Sequence, residues 1–199
     1  MEQSQTFDSL RMREAEAAKP WQARHDVQFY DDERHLAATV ASFLAEGIKN
    51  AQPAIVIATK AHIRSFKDAL RARGVDVESL EPNDMVWLDA HDTLSAFMEG
   101  GHPSPELFGA TVGNVFEKVT GARRYVTVRA FGEMVDILWR NGQNGAAIEL
   151  EELWNGLSAR YAFALLCAYS TRSLDAADLD GIERICAVHH QVLPSRPQA

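Results

Sequence analysis

Hydrophobic positions along this chain alternate between two spacings. Val27–Tyr30 reads as a short strand, after which Leu36, Val40, Phe43 and Leu44 recur at helical intervals up to Gly47. Ala54–Ala58 is a continuous apolar run of strand length, of the kind a parallel sheet buries on both faces. Ile63, Phe66 and Leu70 mark the next helix, closed by Gly74. Met85–Leu88 is a third strand, followed by a short helix through Met98 and a break at Gly100–Pro105. Phe108, Val112, Val115, Phe116 and Val119 form one face of an amphipathic helix. Tyr125–Phe131, with β-branched residues at Val126, Thr127 and Val128, is a fourth strand ended by Gly132. A helix then runs through Trp139, and after a turn at Gly142–Gly145, Leu150, Leu153, Trp154 and Leu157 define another. Phe163–Tyr169 is a fifth strand, and Leu179, Ile182, Cys186 and His189 lie along a final helix.

Strands that alternate with helices, and are apolar throughout, predict an α/β fold: a mostly parallel central sheet with helices on both faces. One domain is expected over residues 21–192. Residues 1–20 are polar and read as a flexible or helical arm. The prolines after Leu193 predict a disordered tail over 193–199.

At 199 residues, with 46% hydrophobic and 24% charged, the chain can bury a core without disulfides or metal. Its net charge of -8 argues against a general nucleic-acid surface. The small basic groups at Arg11–Arg13, Arg71–Arg73 and Arg123-Arg124 read as solvated faces. Cys167 and Cys186 sit in apolar contexts and read as small core residues of a reducing compartment. Met1–Lys19 has no apolar stretch, and the run Tyr161–Tyr169 is far below the roughly 20 residues of a membrane helix. A cytoplasmic location is expected.

Several enzyme signatures are missing. The first strand runs into Asp31-Asp32-Glu33-Arg34, acidic where a phosphate loop needs backbone amides and a lysine. The sequence has no Gly-Lys dipeptide, no glycines two apart, no nucleophile elbow around Ser158, and no His-Glu-x-x-His or Cys-x-x-Cys. The expectation is a non-enzyme without a cofactor.

In open parallel sheets, ligands bind outside the carboxyl ends of the strands. That rule selects Tyr30, Thr59, His62, Asp89, His91, Arg129, Phe131, Glu133 and Tyr169 as a rim for a small organic ligand. Arg129 and Glu133 stand out as charges near a buried strand. They either pair with each other, or Glu133 serves its helix N-terminus, or both meet the ligand. Glu149, Glu151 and Glu152 read as a solvated helix face, with Glu151 or Glu152 turned inward beside Trp154 as the alternative. His25 is placed to cap its strand or bond a neighbouring loop. Of the adjacent His189 and His190, one should pack and one should be wet. No spacing shared by His62, His91, His189 and His190 implies a metal, and no metal site is assigned.

The ordered phrases His25…Phe29-Tyr30, Ala54–Ala58 with Thr59-Lys60-Ala61-His62, Leu88-Asp89-Ala90 with Phe97-Met98, Arg129…Gly132-Glu133-Met134, Leu150-Glu151…Leu153-Trp154-Asn155 and Leu166-Cys167-Ala168-Tyr169 together resemble the MEDS family of methanogen and methylotroph sensory domains. The resemblance spans roughly His25–Leu174. It implies a fold like that of RecA or the circadian-clock ATPases, without a working phosphate loop. It also implies sensing of small hydrocarbon derivatives beside an output domain. Residues 175–199 are too few for such a domain, so the expected output is a separate protein such as a kinase or transcription regulator, with no direct contact to nucleic acid or membrane; a homodimer is left open. Two rivals stand beside this reading. One is a ligand-free interaction module in a two-component or stress pathway. The other is an enzyme of unrecognised type, which a buried pocket holding Arg129, Glu133 and a histidine within hydrogen-bonding reach would favour.

Overall fold

The computed structural model describes residues 24–121, 126–174 and 179–194. Strand β1 (Arg24–Tyr30) leads into helix α1 (Glu33–Lys49), and β2 (Ala54–Ala58) into α2 (Lys60–Arg71) and the single turn α3 (Val77–Leu80). Strand β3 (Met85–Asp89) runs into α4 (Ala90–Ser95). A small antiparallel pair, β4 (Met98–Glu99) and β5 (His102–Pro103), follows, then α5 (Pro105–Phe108), a π-helical turn (Gly109–Gly113) and α6 (Asn114–Thr120). Strand β6 (Val128–Gly132) precedes α7 (Met134–Arg140) and α8 (Asn144–Leu157). Strand β7 (Phe163–Ser170), a 3₁₀ turn (Thr171–Ser173), α9 (Leu179–Ala187) and β8 (Gln191–Leu193) complete the described chain.

The main sheet has six strands in the order β3-β2-β6-β7-β1-β8, and every pairing is parallel. The α/β class read from the sequence is therefore what forms. Alternate residues feed two cores. Ile55, Ile57, Val128, Ala130, Leu165 and Cys167 face α4–α9, whereas Ala54, Val56, Ala58, Phe131, Leu166 and Ala168 face α1–α3. All five residues of β2 and all eight of β7 are buried, which is why neither strand shows apolar–polar alternation.

The expected elements shift in several places, among them the short helix expected through Met98, which ends at Ser95. Strand β6 begins at Val128 and includes Gly132; Tyr125 lies outside the described residues. The helix expected across Phe108–Val119 carries a π-helical turn at its glycine-flanked segment. The break at Gly100-Gly101 is the tip of a hairpin, where both glycines take positive φ (59° and 89°). Finally, α9 ends at Ala187, and Leu193 is no longer tail but part of β8, paired with Gln28.

Arg129 is the clearest relocation. Its register partner Ala54 opens β2, so Arg129 lies at the amino-terminal edge of the sheet, away from the carboxyl ends. Its Nε donates to Gln52 Oε1 at 2.8 Å, its guanidinium lies 4.9 Å above the Phe43 ring, and Nη1 is 3.6 Å from Glu46. The stem runs across Gly47, where an added Cβ would stand 2.3 Å from Arg129 Cγ. Alanine in place of a glycine in a helix interior ordinarily returns about 1 kcal/mol. Gly47, in the last turn of α1, should behave differently: Gly47→Ala should lower stability in urea denaturation, because the Arg129 stem must shift and loosen its contacts with Gln52, Phe43 and Glu46. In an Arg129→Ala background the same substitution should become neutral or stabilising.

Candidate functional site

The carboxyl ends of β1, β2 and β3 each feed a helix whose first amides are taken by a side chain. Asp32 Oδ1 accepts the N–H groups of Arg34 (2.7 Å) and His35 (3.2 Å). Thr59 Oγ1 accepts that of His62 (3.3 Å), and Asp89 Oδ1 accepts those of His91 and Asp92 (both 3.0 Å). The acidic step after β1 is thus an N-cap. The donors that a phosphate would use in a nucleotide-binding relative of this architecture are already satisfied from within.

Between these helix starts and α7 lies a cleft of about 460 Å³. Thr59, His62, His91 and Glu133, all selected from the sequence, line it together with Glu33, Asp136 and Arg140. Glu133 follows β6 and is only 3% exposed, yet it does not cap its own helix. Its carboxylate reaches across the sheet edge to accept the Thr59 N–H and to meet His62 Nδ1, while His62 Nε2 meets Glu33. The imidazole stacks on Phe66, centroids 5.4 Å apart. A ring held between two carboxylates must be a double donor, hence an imidazolium. Burial alone would lower the His62 pKa, but the hydrogen bonds and charges of Glu133 and Glu33 outweigh it and raise it to about 9.

A second set of groups forms the adjoining wall. Asp136, 4% exposed, accepts the Ser170 N–H (3.0 Å) and pairs with Arg140 (2.7 Å). Arg140 also donates to the Tyr30 hydroxyl at 2.9 Å, and that hydroxyl faces Asp136 at 3.5 Å. Burial, then the charge of Asp136, push the Tyr30 phenol up and keep its proton on. Arg140 itself is 47% exposed along its side chain and presents a cation to the cleft.

The other residues selected from the sequence go elsewhere. Asp89 stays a cap. Phe131 is wholly buried, edge-on to Phe66 at 5.1 Å. Arg129 is at the opposite edge, and the Arg129–Glu133 pair does not form. Tyr169 points to the other face of the sheet and donates to Glu151 Oε1 at 2.8 Å. Glu151 is the glutamate that turns inward, fully buried, whereas Glu152 is exposed. His25 and His189 meet it there. Periodicity did carry a signal for Glu151, which sits four residues after Ala147 and three before Trp154 on the buried stripe of α8. Nothing local linked it to His25 or His189. The sequence reading missed three charged cleft residues: Glu33 at the start of α1, and Asp136 and Arg140 from the first and last turns of α7, which only the strand-end rule extended into the helices would have reached.

The sequence matches the family described as MEDS: MEthanogen/methylotroph, DcmR Sensory domain, over residues 24–190. No curated protein matches the chain significantly. The chain belongs to the MEDS family, whose domain has a sensory, regulatory role.

The His62 arrangement fixes a pH dependence. Its folded pKa, about 9, lies above the ordinary histidine value of 6.5, so the stabilisation is fully present below pH 6.5 and is lost as pH rises through 9. Discounting the exposed Glu33 arm, the loss should be on the order of 2 kcal/mol. Urea denaturation of wild type and His62→Gln across that window should show the difference between the two curves shrinking as pH rises.

Proposed function

We propose that this MEDS-family domain senses a small organic molecule bearing an acceptor or anionic group, taken into the cleft at the carboxyl edge of the sheet. The observation that carries the reading is the half-exposed Arg140 guanidinium beside the His62 imidazolium in a roughly 460 Å³ recess. A short hydrocarbon derivative fits this volume, with its polar end on the two cations and its carbon portion against Ile137 and Ala61.

The same groups supply the signal. His62 joins the start of α2 to Glu33 on α1 and to Glu133 ahead of α7, and Arg140 joins α7 to Tyr30 on β1. A ligand that takes over either cation competes with the carboxylates now holding it. It thereby favours a conformation in which those helix starts are less tightly tied; that difference in affinity between two conformations is the signal. A separate signalling protein reads it.

Two observations weigh against the rival readings. Among the described residues the large apolar side chains that are exposed are Leu179 and Val192, so no broad apolar patch offers itself to a partner in the way a ligand-free interaction module requires. The pocket that would have favoured the enzyme reading, with Arg129, Glu133 and a histidine together, does not form, because Arg129 is at the far edge of the sheet.

Native mass spectrometry of the protein purified gently from its own host tests the proposal. A mass excess that disappears on denaturation, and that falls at least ~10-fold in occupancy in Arg140→Ala while the variant stays folded, is the expected result. A bare mass, or an excess untouched by both Arg140→Ala and His62→Ala, would sink it.

A further inference from the structure

Within the core on the α4–α9 face of the sheet, four metal-type donors converge: His25 on β1, Glu151 on α8, Cys167 on β7 and His189 just after α9, with their ligand atoms all within 4.8 Å of one another. The sheet register brings this about. Val27 pairs with Cys167, so Cys167 and His25, two residues earlier on β1, share one face and are diagonal neighbours. Glu151 projects onto them from α8. His25 Nε2 is 3.1 Å from Glu151 Oε2 and 3.3 Å from Cys167 Sγ; Cys167 Sγ is 3.3 Å from Glu151 Oε2; His189 Nε2 is 3.4 Å from Glu151 Oε1.

The surrounding hydrogen bonds fix which nitrogen of each ring faces inward. Asn155 donates its Nδ2 to Val188 O at 3.0 Å, which leaves its Oδ1 as the acceptor for His25 Nδ1–H at 2.9 Å. His189 Nδ1 lies 2.6 Å from Ile185 O, a carbonyl that can only accept. Both Nδ1 atoms therefore carry hydrogen, and in the neutral rings both Nε2 lone pairs point at the carboxylate. This outer layer of amide, carbonyl and Tyr169 hydroxyl is the arrangement that orients metal-binding imidazoles and carboxylates.

Charge makes the same point. Glu151 is fully buried, and none of its contacts named here is a lysine or arginine. A buried carboxylate without a cation is costly. A single proton on His25 serves one oxygen, but the buried His189 Nε2, 3.4 Å from the other, makes no well-formed hydrogen bond among the described residues. One divalent cation at the centre would satisfy all four donors at once.

We propose that His25, Glu151, Cys167 and His189 bind a single zinc ion. Tetrahedral zinc with bonds of about 2.0–2.3 Å separates its ligand atoms by roughly 3.3–3.8 Å. The mutual contacts of His25 Nε2, Cys167 Sγ and Glu151 Oε2, 3.1–3.3 Å, are close to this, and the whole set, within 4.8 Å, needs His189 to draw in. Binding converts the Cys167 thiol to thiolate, its proton leaving to solvent, and the ion's two positive charges are balanced by thiolate and carboxylate. The complex is neutral, as a buried site requires. Nitrogen and sulfur donors exclude calcium and magnesium as good occupants. Four protein ligands leave no open position, so the ion is a clasp: it fastens the segment after α9, and with it β8, onto β1, β7 and α8. This inference does not depend on the ligand reading of the cleft.

Full-length protein produced with zinc in the medium should contain about one zinc per chain by elemental mass spectrometry, and chelation should lower its Tm. Cobalt in place of zinc should give tetrahedral d–d bands together with a thiolate-to-cobalt charge-transfer band. Cys167→Ser should lose the charge-transfer band, and Asn155→Ala, which alters only the outer layer, should bind cobalt about 10–100-fold more weakly. If Cys167→Ser does not fold, the wild-type cobalt spectrum decides alone. Metal-free protein without a cobalt spectrum, or a spectrum unchanged by Cys167→Ser, overturns the proposal and leaves a proton-bridged hydrogen-bond cluster.

Discussion

A sheet whose strands all run one way is covered on both faces, and that constraint shapes everything else in this molecule. Each crossover helix must lie on one face or the other, so β2 and β7 are sealed on both sides and tolerate almost nothing polar. Polar chemistry is left with two places to go. It can gather at the strand ends, where helices begin and solvent enters. Alternatively it can enter the core as a closed set of mutually satisfied groups. The protein uses both.

The two polar sites differ in kind. At the sheet edge, buried Glu133 and Asp136 hold His62 and Arg140, while Glu33 and Arg140 reach water, so a competing charge can exchange for the exposed members at moderate cost. Around Glu151 the side chains are closed off from solvent. Removing one member there strands the others, so the cluster favours a fixed geometry over an adjustable one. Adjustable contacts suit a site that exchanges partners; fixed contacts suit a frame.

Much of the frame was legible in the sequence because burial on both faces writes itself as unbroken apolar runs such as Ala54–Ala58 and Phe163–Tyr169. Thr59, His62, His91 and Glu133 were legible for the same reason, since strand ends locate the open edge. Arg129 was misplaced because a strand's hydrophobicity does not reveal where pairing starts; its register with Ala54 puts it at the other pole. The inward turn of Glu151 was open to either reading, as a glutamate on an apolar stripe is decided by what faces it. What faces it comes from β1, β7 and the segment after α9, and no local pattern records that meeting. Strand β8 was hidden by its brevity and by neighbouring prolines that suggested a tail.

The position of β1 between β7 and β8 bears on how the protein is made. The first of the described strands has both its neighbours, β7 and β8, far downstream in the sequence. At typical synthesis rates it waits on the order of ten seconds for them. Throughout that interval its Val27, Phe29 and Tyr30 side chains and both of its backbone edges are unpaired, while β2, β3 and their helices can already associate. Closure of the sheet is thus a late, long-range event, slow by topology. The nascent chain is most open to chaperone capture or misassociation through its amino-terminal strand.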